Sequence, residues 1–392
     1  AFDIGAGVSL GDISGGVLST YSPIPVLYND GGELTACDSS GCNQISQLFN
    51  GEQSLDQYYA EGDGNLIFSG QDHRVVGMAN GVGAGSKHRV EGSFSVALSG
   101  SNNQVRGPFN AILNGHDLAV NGAYSLIGSG HSMGIDGAFS AIGTGYRNQI
   151  EGDYSSILSA RDTVVDGDRS TVLLADSARV SGNDLSVGFA KDVQAAGDRQ
   201  FLGFGENVDL DGQDILLGMG IDIALKGDDQ MVLSGSNIQS TGVGSSLISG
   251  QSVVLAGKNL AMLAGSQVQI SGAQSFLGQG ADTRLSGKDI QVLHSSSSNI
   301  DGQAHMIGTV DTSSITGHGQ DILNASQLQI SGAENLVLSG DSHQVAGDEN
   351  TIVHGQSNKV EGHGNLVLGS RNTVSGTNSL LLSGADSTLS GD

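Results

Sequence analysis

The 392 residues carry a formal charge of −25, with 62 Gly, 3 Pro, no Trp and only 4% aromatic side chains. Such a balance excludes nucleic acid and anionic lipid as partners, since both require a Lys/Arg surface. An apolar content of 37% is too high for a disordered tail, and no apolar run is long enough to span a membrane as a helix.

In chain order, residues 1–61 come first and follow no period. They hold Pro23, Pro25 and an aromatic cluster of Tyr21, Tyr28, Phe49, Tyr58 and Tyr59, a candidate ligand-binding tip because large aromatics make interaction hot spots. The same segment is expected to act as a cap, since the first rung of a repeat array would offer an open sheet edge. Cys37 and Cys42, in CDSSGC, are close enough in sequence to form a disulfide, which fits an oxidising compartment. With no His or further Cys nearby, this spacing does not point to zinc. The chain opens at Ala1 without a charged leader and reads as a mature product.

From Gly62 a glycine returns every fifteenth residue (77, 92, 107, 122 and onward) to Gly362, then after fourteen at Gly376 and again after fifteen at Gly391. The result is 22 consecutive copies covering 62–390, so residues 62–392 form one repetitive body of stacked supersecondary units. Counting each copy from its glycine, position 6 is apolar throughout, as in Ile112, Val337 and Ile352, and position 14 is apolar in nearly every copy, exceptions being Ala195 for size and Ser240 for polarity. Short β-branched runs bounded by glycine are strands, and fifteen residues with two corners leave no room for a helix. Each copy is therefore one rung of a parallel β-roll or β-helix solenoid with two short strands, about 22 rungs in all. The glycines of positions 1 and 9 are the expected corners, where positive φ or close stacking is needed.

Position 6 points inward, so positions 5 and 7 point outward. Position 7 is nevertheless apolar in fourteen copies and Gly in the other eight. A continuous apolar ladder on the outside of a solenoid exceeds the patch a soluble monomer carries, and an identical ladder is its simplest cover. The predicted contact residues between copies are Leu66, Phe68, Val96, Leu98, Leu113, Leu126, Leu158, Phe201, Leu263, Phe276, Leu336, Leu338, Leu366, Leu368, Leu380 and Leu382. Three parallel copies are the natural number for a thin, wedge-like coil, giving an expected homotrimer.

The runs SFSVALSGSNNQVRG (93–107), AYSLIGSGHSMGIDG (123–137), AFSAIGTGYRNQIEG (138–152) and HGNLVLGSRNTVSG (363–376) resemble the YadA-like head repeats of trimeric autotransporter adhesins. That resemblance implies a left-handed parallel β-roll trimer, held extracellularly on a bacterial cell surface by an outer-membrane part that lies beyond this chain. It also implies binding to host extracellular-matrix proteins, host receptors or other cells. The rung here is fifteen residues where that family is expected to have fourteen, and the array ends mid-copy at Gly391 and Asp392, which suggests a longer native protein.

SNNQVRG, YRNQIEG, QSNKVEG and SRNTVSG are also similar to antifreeze β-rolls of the xxNxVxG kind, an alternative reading as an ice-binding protein. Ice recognition calls for a regular outer array of Thr or similar side chains. Position 13 should carry it, yet shows Thr only at Thr373 and Thr388, among Arg, Gln and Lys.

No enzyme chemistry, cofactor or metal is expected. The carboxylates at position 11, such as Asp72, Asp117, Asp192, Asp222 and Asp282, are spread along an edge rather than gathered in a cleft, and read as a solvated acidic rim. The calcium-binding GGxGxDxUx repeat is missing. His73, His88 and His343 fall at position 12 and read as inward rung fillers, not a metal site. GVGAG at 81–85 lacks the Lys-Ser/Thr and helix start of a phosphate loop.

Overall fold

A computed structural model describes residues 71–390 apart from 83–84, 108, 122, 167–168, 183, 377 and 382–384, together with the backbone of strands between 17 and 62. Two compact units divide the chain, Ala1–Gly182 and Asn183–Asp392. The architecture is all-β, a parallel β-solenoid of about 15 strand-paired turns, with no helix among the described residues.

In the first unit, the strands Val17–Leu18, Val26–Asp30, Glu33–Asp38 and Gly41–Gln44 form an antiparallel sheet in that order, and Asn50–Ser54 pairs antiparallel with Tyr59–Gly62. Repeats follow from residue 71. Between 71 and 161 the rungs stack through scattered backbone hydrogen bonds, such as Phe109 N to Ser93 O at 3.0 Å and Phe139 N to Ala123 O at 2.9 Å, and one isolated parallel bridge between Ser101 and His116, in place of continuous strands. Regular pairing starts with Asp162–Asp166, which lies parallel to Ser177–Ser181. The strand-paired turns are therefore fewer than the 22 copies counted in the sequence.

The second unit is a regular ladder. Asp184–Lys226, Gln230–Val243, Ser246–Asp311, Ser314–Ser326 and Gln329–Asp341 run through successive rungs, followed by short strands from Gln344–Ala346 to Thr388–Ser390. All pair in parallel with each residue opposite the one fifteen further on: Ile223 faces Ile238, and Ile300 faces Ile315, which faces Ile330. This register puts like side chains in columns along the stack. The fourteen-residue copy is absorbed in one step, with Ile352 opposite Val367 but Gly355 opposite Gly369, so that Val360 meets Val374.

The core follows the predicted alternation. Position 6 is buried from Val82 through Val367, and position 14 from Val75 through Val374. Burying one such side chain stabilises the fold by about 1.5–3 kcal/mol, so each rung is held by its two apolar columns. The interior is not wholly apolar: positions 4 and 12 also point inward and bear Asn, Ser, Gln, Thr and His over long stretches.

The position-1 glycines form corners as expected, with Gly227, Gly242 and Gly257 at φ of 123, 151 and 145°, and two further turns stand beside them. The left-handed residue lies at positions 3 and 11 and is usually not glycine: Asp192, Asn207, Asp222, Asn237 and Gln267 have φ of 50, 54, 56, 53 and 53°. Asn and Asp tolerate this region because their short side chains find local partners. Here the partner is one rung away, with Asn207 Nδ2 donating to Asp192 Oδ1 at 2.6 Å and Asn237 Nδ2 to Asp222 Oδ1 at 2.7 Å. The position-1 glycines serve close approach as well as φ. Gly257 has φ of 145°, and a Cβ there would collide with the carbonyl oxygen of Gly242.

Candidate functional site

Each rung presents two strand faces. On one, positions 13 and 15 flank the buried position 14; on the other, positions 5 and 7 flank the buried position 6. Toward the C-terminal end the first face becomes largely polar, with Ser or Thr in four of six rungs. Ser314 and Thr316, Gln329 and Ser331, Gln344 and Ala346, Lys359 and Glu361, Thr373 and Ser375, and Thr388 and Ser390 stand in successive rungs, turned outward by Ile315, Ile330, Val345, Val360 and Val374 beneath them. Pairing keeps them in register, with Thr316 opposite Ser331, Thr373 opposite Thr388 and Ser375 opposite Ser390, so the groups repeat about every 4.8 Å. The charged rung neutralises itself, Lys359 Nζ lying 2.6 Å from Glu361 Oε1. Over 267–329 the same side of the rungs dips into an open trough of about 700 Å³ lined by Gln269, Arg284, Asn299, Ser314 and Gln329. Its floor is low because Thr283, Ser298 and Ser313 are small.

Behind the C-terminal face, both inner polar columns are hydrogen bonded along the stack. In position 4, Gln320, Asn335, Asn350, Asn365 and Ser379 form one chain: Asn335 Nδ2 donates to Gln320 Oε1, Asn350 Nδ2 to Asn335 Oδ1 at 2.7 Å, Asn365 Nδ2 to Asn350 Oδ1 at 2.6 Å and Ser379 Oγ to Asn365 Oδ1 at 3.1 Å. In position 12, Asn358 Oδ1 accepts from His343 N at 2.8 Å and Asn372 Oδ1 from Asn358 N at 3.0 Å. These bonds tie each rung to the next and rigidify the backbone that carries the outer columns; the position-4 chain is linked amide to amide, whereas in position 12 His343 Nε2 and Asn358 Nδ2 are buried without a partner. The Asn of each N-x-V-x-G half-rung is thus a structural group, bonded inside the coil.

The electrostatics are modest. Burial pushes His343 down to about 4, against the opposing pull of Asp341, and lowers His305 as well. The Asn102 amide, aided by His116, holds the Asp117 carboxyl below its usual range. His73 and His88 are buried and stacked at 5.1 Å. Among the described residues, no group of three or more His, Cys, Asp or Glu is placed to hold a metal ion.

Of the residues predicted to meet other copies, Leu98, Leu113, Leu126, Leu158, Phe201, Leu263, Leu338 and Leu380 are exposed. Val96, Phe276, Leu336, Leu366 and Leu368 are half-buried. Leu66, Phe68 and Leu382 lie outside the described residues, as do Tyr21, Phe49 and Tyr58 of the predicted tip. Tyr28 and Tyr59 are placed by backbone only, within Val26–Asp30 and Tyr59–Gly62. Cys37 and Cys42, likewise described by backbone alone, stand directly opposite each other across a strand pair.

Two features escape sequence reading: the small residues of position 15, and an aromatic column at position 3. Phe94, Phe109, Tyr124, Phe139 and Tyr154 stack ring on ring at 5.2, 4.8, 5.1 and 5.1 Å. Their fifteen-residue spacing is a signal in the sequence, but it spans five copies while the apolar columns 5 to 7 recur along the whole array.

A family model described as the grass antifreeze beta roll matches residues 315–392. No curated protein and no solved structure matches the chain. The match overturns the resemblance to a trimeric autotransporter head: HGNLVLGSRNTVSG, one of the runs that carried it, falls inside the matched segment. With it falls the reading of the chain as an adhesin head. The physical reason is plain in the inner columns. N-x-V-x-G encodes an inward Asn, an inward Val and a corner, which build a β-roll whatever its outer face does.

Proposed function

We propose that this chain is an ice-binding β-roll, acting outside the cell, whose columns 13 and 15 over residues 314–390 dock on ice. The observation that carries the reading is the antifreeze β-roll match, which falls on the same rungs where these columns carry Ser or Thr in four of six rungs, stand in register and are backed by the hydrogen-bonded position-12 column. A surface that recognises a crystal must hold its groups at fixed spacing before contact, because ordering them on contact would cost entropy. Parallel stacking supplies the spacing, the inner ladders supply rigidity, and the β-branched Thr residues have few rotamers to lose. The repeat would continue as a left-handed coil through all 22 copies, with copies of the chain associating through apolar columns and leaving the polar face to ice.

The test is inhibition of ice recrystallisation, with thermal hysteresis alongside, by the purified chain. Ser331→Tyr and Thr373→Tyr, which raise bulk from the face without touching the core, are expected to abolish most of the effect. Leu338→Ser on the opposite face should leave it. A folded chain that leaves ice growth unchanged refutes the proposal.

A further inference from the structure

We infer that a second copy of this chain covers the aromatic column of the first unit. Phe94, Phe109, Tyr124, Phe139 and Tyr154 are 54, 46, 52, 51 and 51% exposed, with neighbouring ring planes within 9° of parallel. Stacking satisfies the ring faces and leaves a ridge of apolar edges in water. Columns 5 and 7 of the same five rungs add Val96, Leu98, Leu113, Leu126 and Leu158, and columns 3, 5 and 7 there hold no charged side chain in a chain whose net charge is −25. Charge depletion around clustered aromatics is the composition of an interface core.

The patch has a sharp end. In the next rungs position 3 becomes Arg169, Asp184, Arg199 and Asp214, so the aromatic residues are confined to five consecutive rungs and are not a general corner filler. Its area also suits a partner of the same kind. Five aromatics of roughly 150–250 Å² each, half exposed, offer about 400–600 Å². The flanking leucines bring this toward the roughly 800 Å² per partner of a standard interface, and the whole exceeds the patch of a few hundred Å² that monomers leave bare. Even spacing makes the column self-complementary: a two-fold axis through Tyr124 sets Phe94 against Tyr154 and Phe109 against Phe139, the isologous contact of a closed dimer. This replaces contact along every rung, as read from the sequence, by an anchored contact on five.

Light scattering coupled to size separation on the intact chain is expected to give two copies per particle. Phe109→Ser with Phe139→Ser should weaken association about a hundredfold or more, as loss of central hot spots does, while Leu323→Ser with Leu338→Ser should leave the dimer intact. Because the aromatic variants could disturb folding, Tyr124→Trp provides a second reading, its emission shifting to the red as the dimer is diluted. A monomeric chain, a particle of three copies, or a dimer indifferent to the aromatic variants overturns the inference. Ice assays are independent of this outcome, since the dissociated variant keeps its polar face.

Discussion

Asn350→Leu offers the most direct test of how the inner columns hold the C-terminal rungs. Asn350 is fully buried, donates to Asn335 and accepts from Asn365. Leucine has similar bulk but can do neither, leaving Asn335 Oδ1 and one Asn365 N–H without these partners. Each orphaned group costs about 1–3 kcal/mol, and the apolar burial of leucine offsets about 1.5–3 kcal/mol, for a net loss of about 1–3 kcal/mol. In a solenoid each rung contacts only its neighbours, so the loss should be local. Amide hydrogen exchange is expected to speed up about 5- to 150-fold in rungs 332–376 and to stay unchanged in rungs 200–270. The same column supplies the control: Ser275 Oγ is buried with no hydrogen-bond partner, so Ser275→Ala should cost nothing or stabilise slightly. Equal effects for the two substitutions, or native protection in Asn350→Leu, would refute the claim that the ladder is a bonded unit.

Acid should destabilise the coil through His343. Its folded pKa of about 4 lies below the ordinary 6.5, so between these values the unfolded chain binds more protons and stability falls as pH drops through the window. The full loss is about 3 kcal/mol; urea midpoints at pH 7 and pH 4.5 should show it, and His343→Asn, matching Asn358 and Asn372 of the same column, should flatten the slope. Gly257→Ala should cost about 3 kcal/mol or more by thermal unfolding, since its Cβ meets fixed backbone, whereas at Gly250→Ala the close contacts are side-chain ends of Val253 and Leu247, with the Gly235 carbonyl oxygen at an ordinary 3.5 Å, and the cost should be less. Asn237→Ala should loosen its corner by about 1 kcal/mol, because it removes both the partner of Asp222 and a residue suited to left-handed φ; exchange of the neighbouring amides reads it.

The repeat length, the strand character of each rung and the inward set at positions 6 and 14 were legible from the residues alone. These features depend only on period-two alternation and on apolar burial, which every copy restates. The functional face was less legible. Column 13 taken alone looks irregular, and only its pairing with column 15 in adjacent rungs shows a registered surface rich in Ser and Thr between Ser314 and Ser390. The corner residues, the Gln320-to-Ser379 ladder and the stacked rings from Phe94 to Tyr154 belong to the tertiary structure. Each depends on what lies one rung away, some fifteen residues along the chain, and a linear reading of one copy has no term for a partner that exists only after the coil has closed on its neighbour.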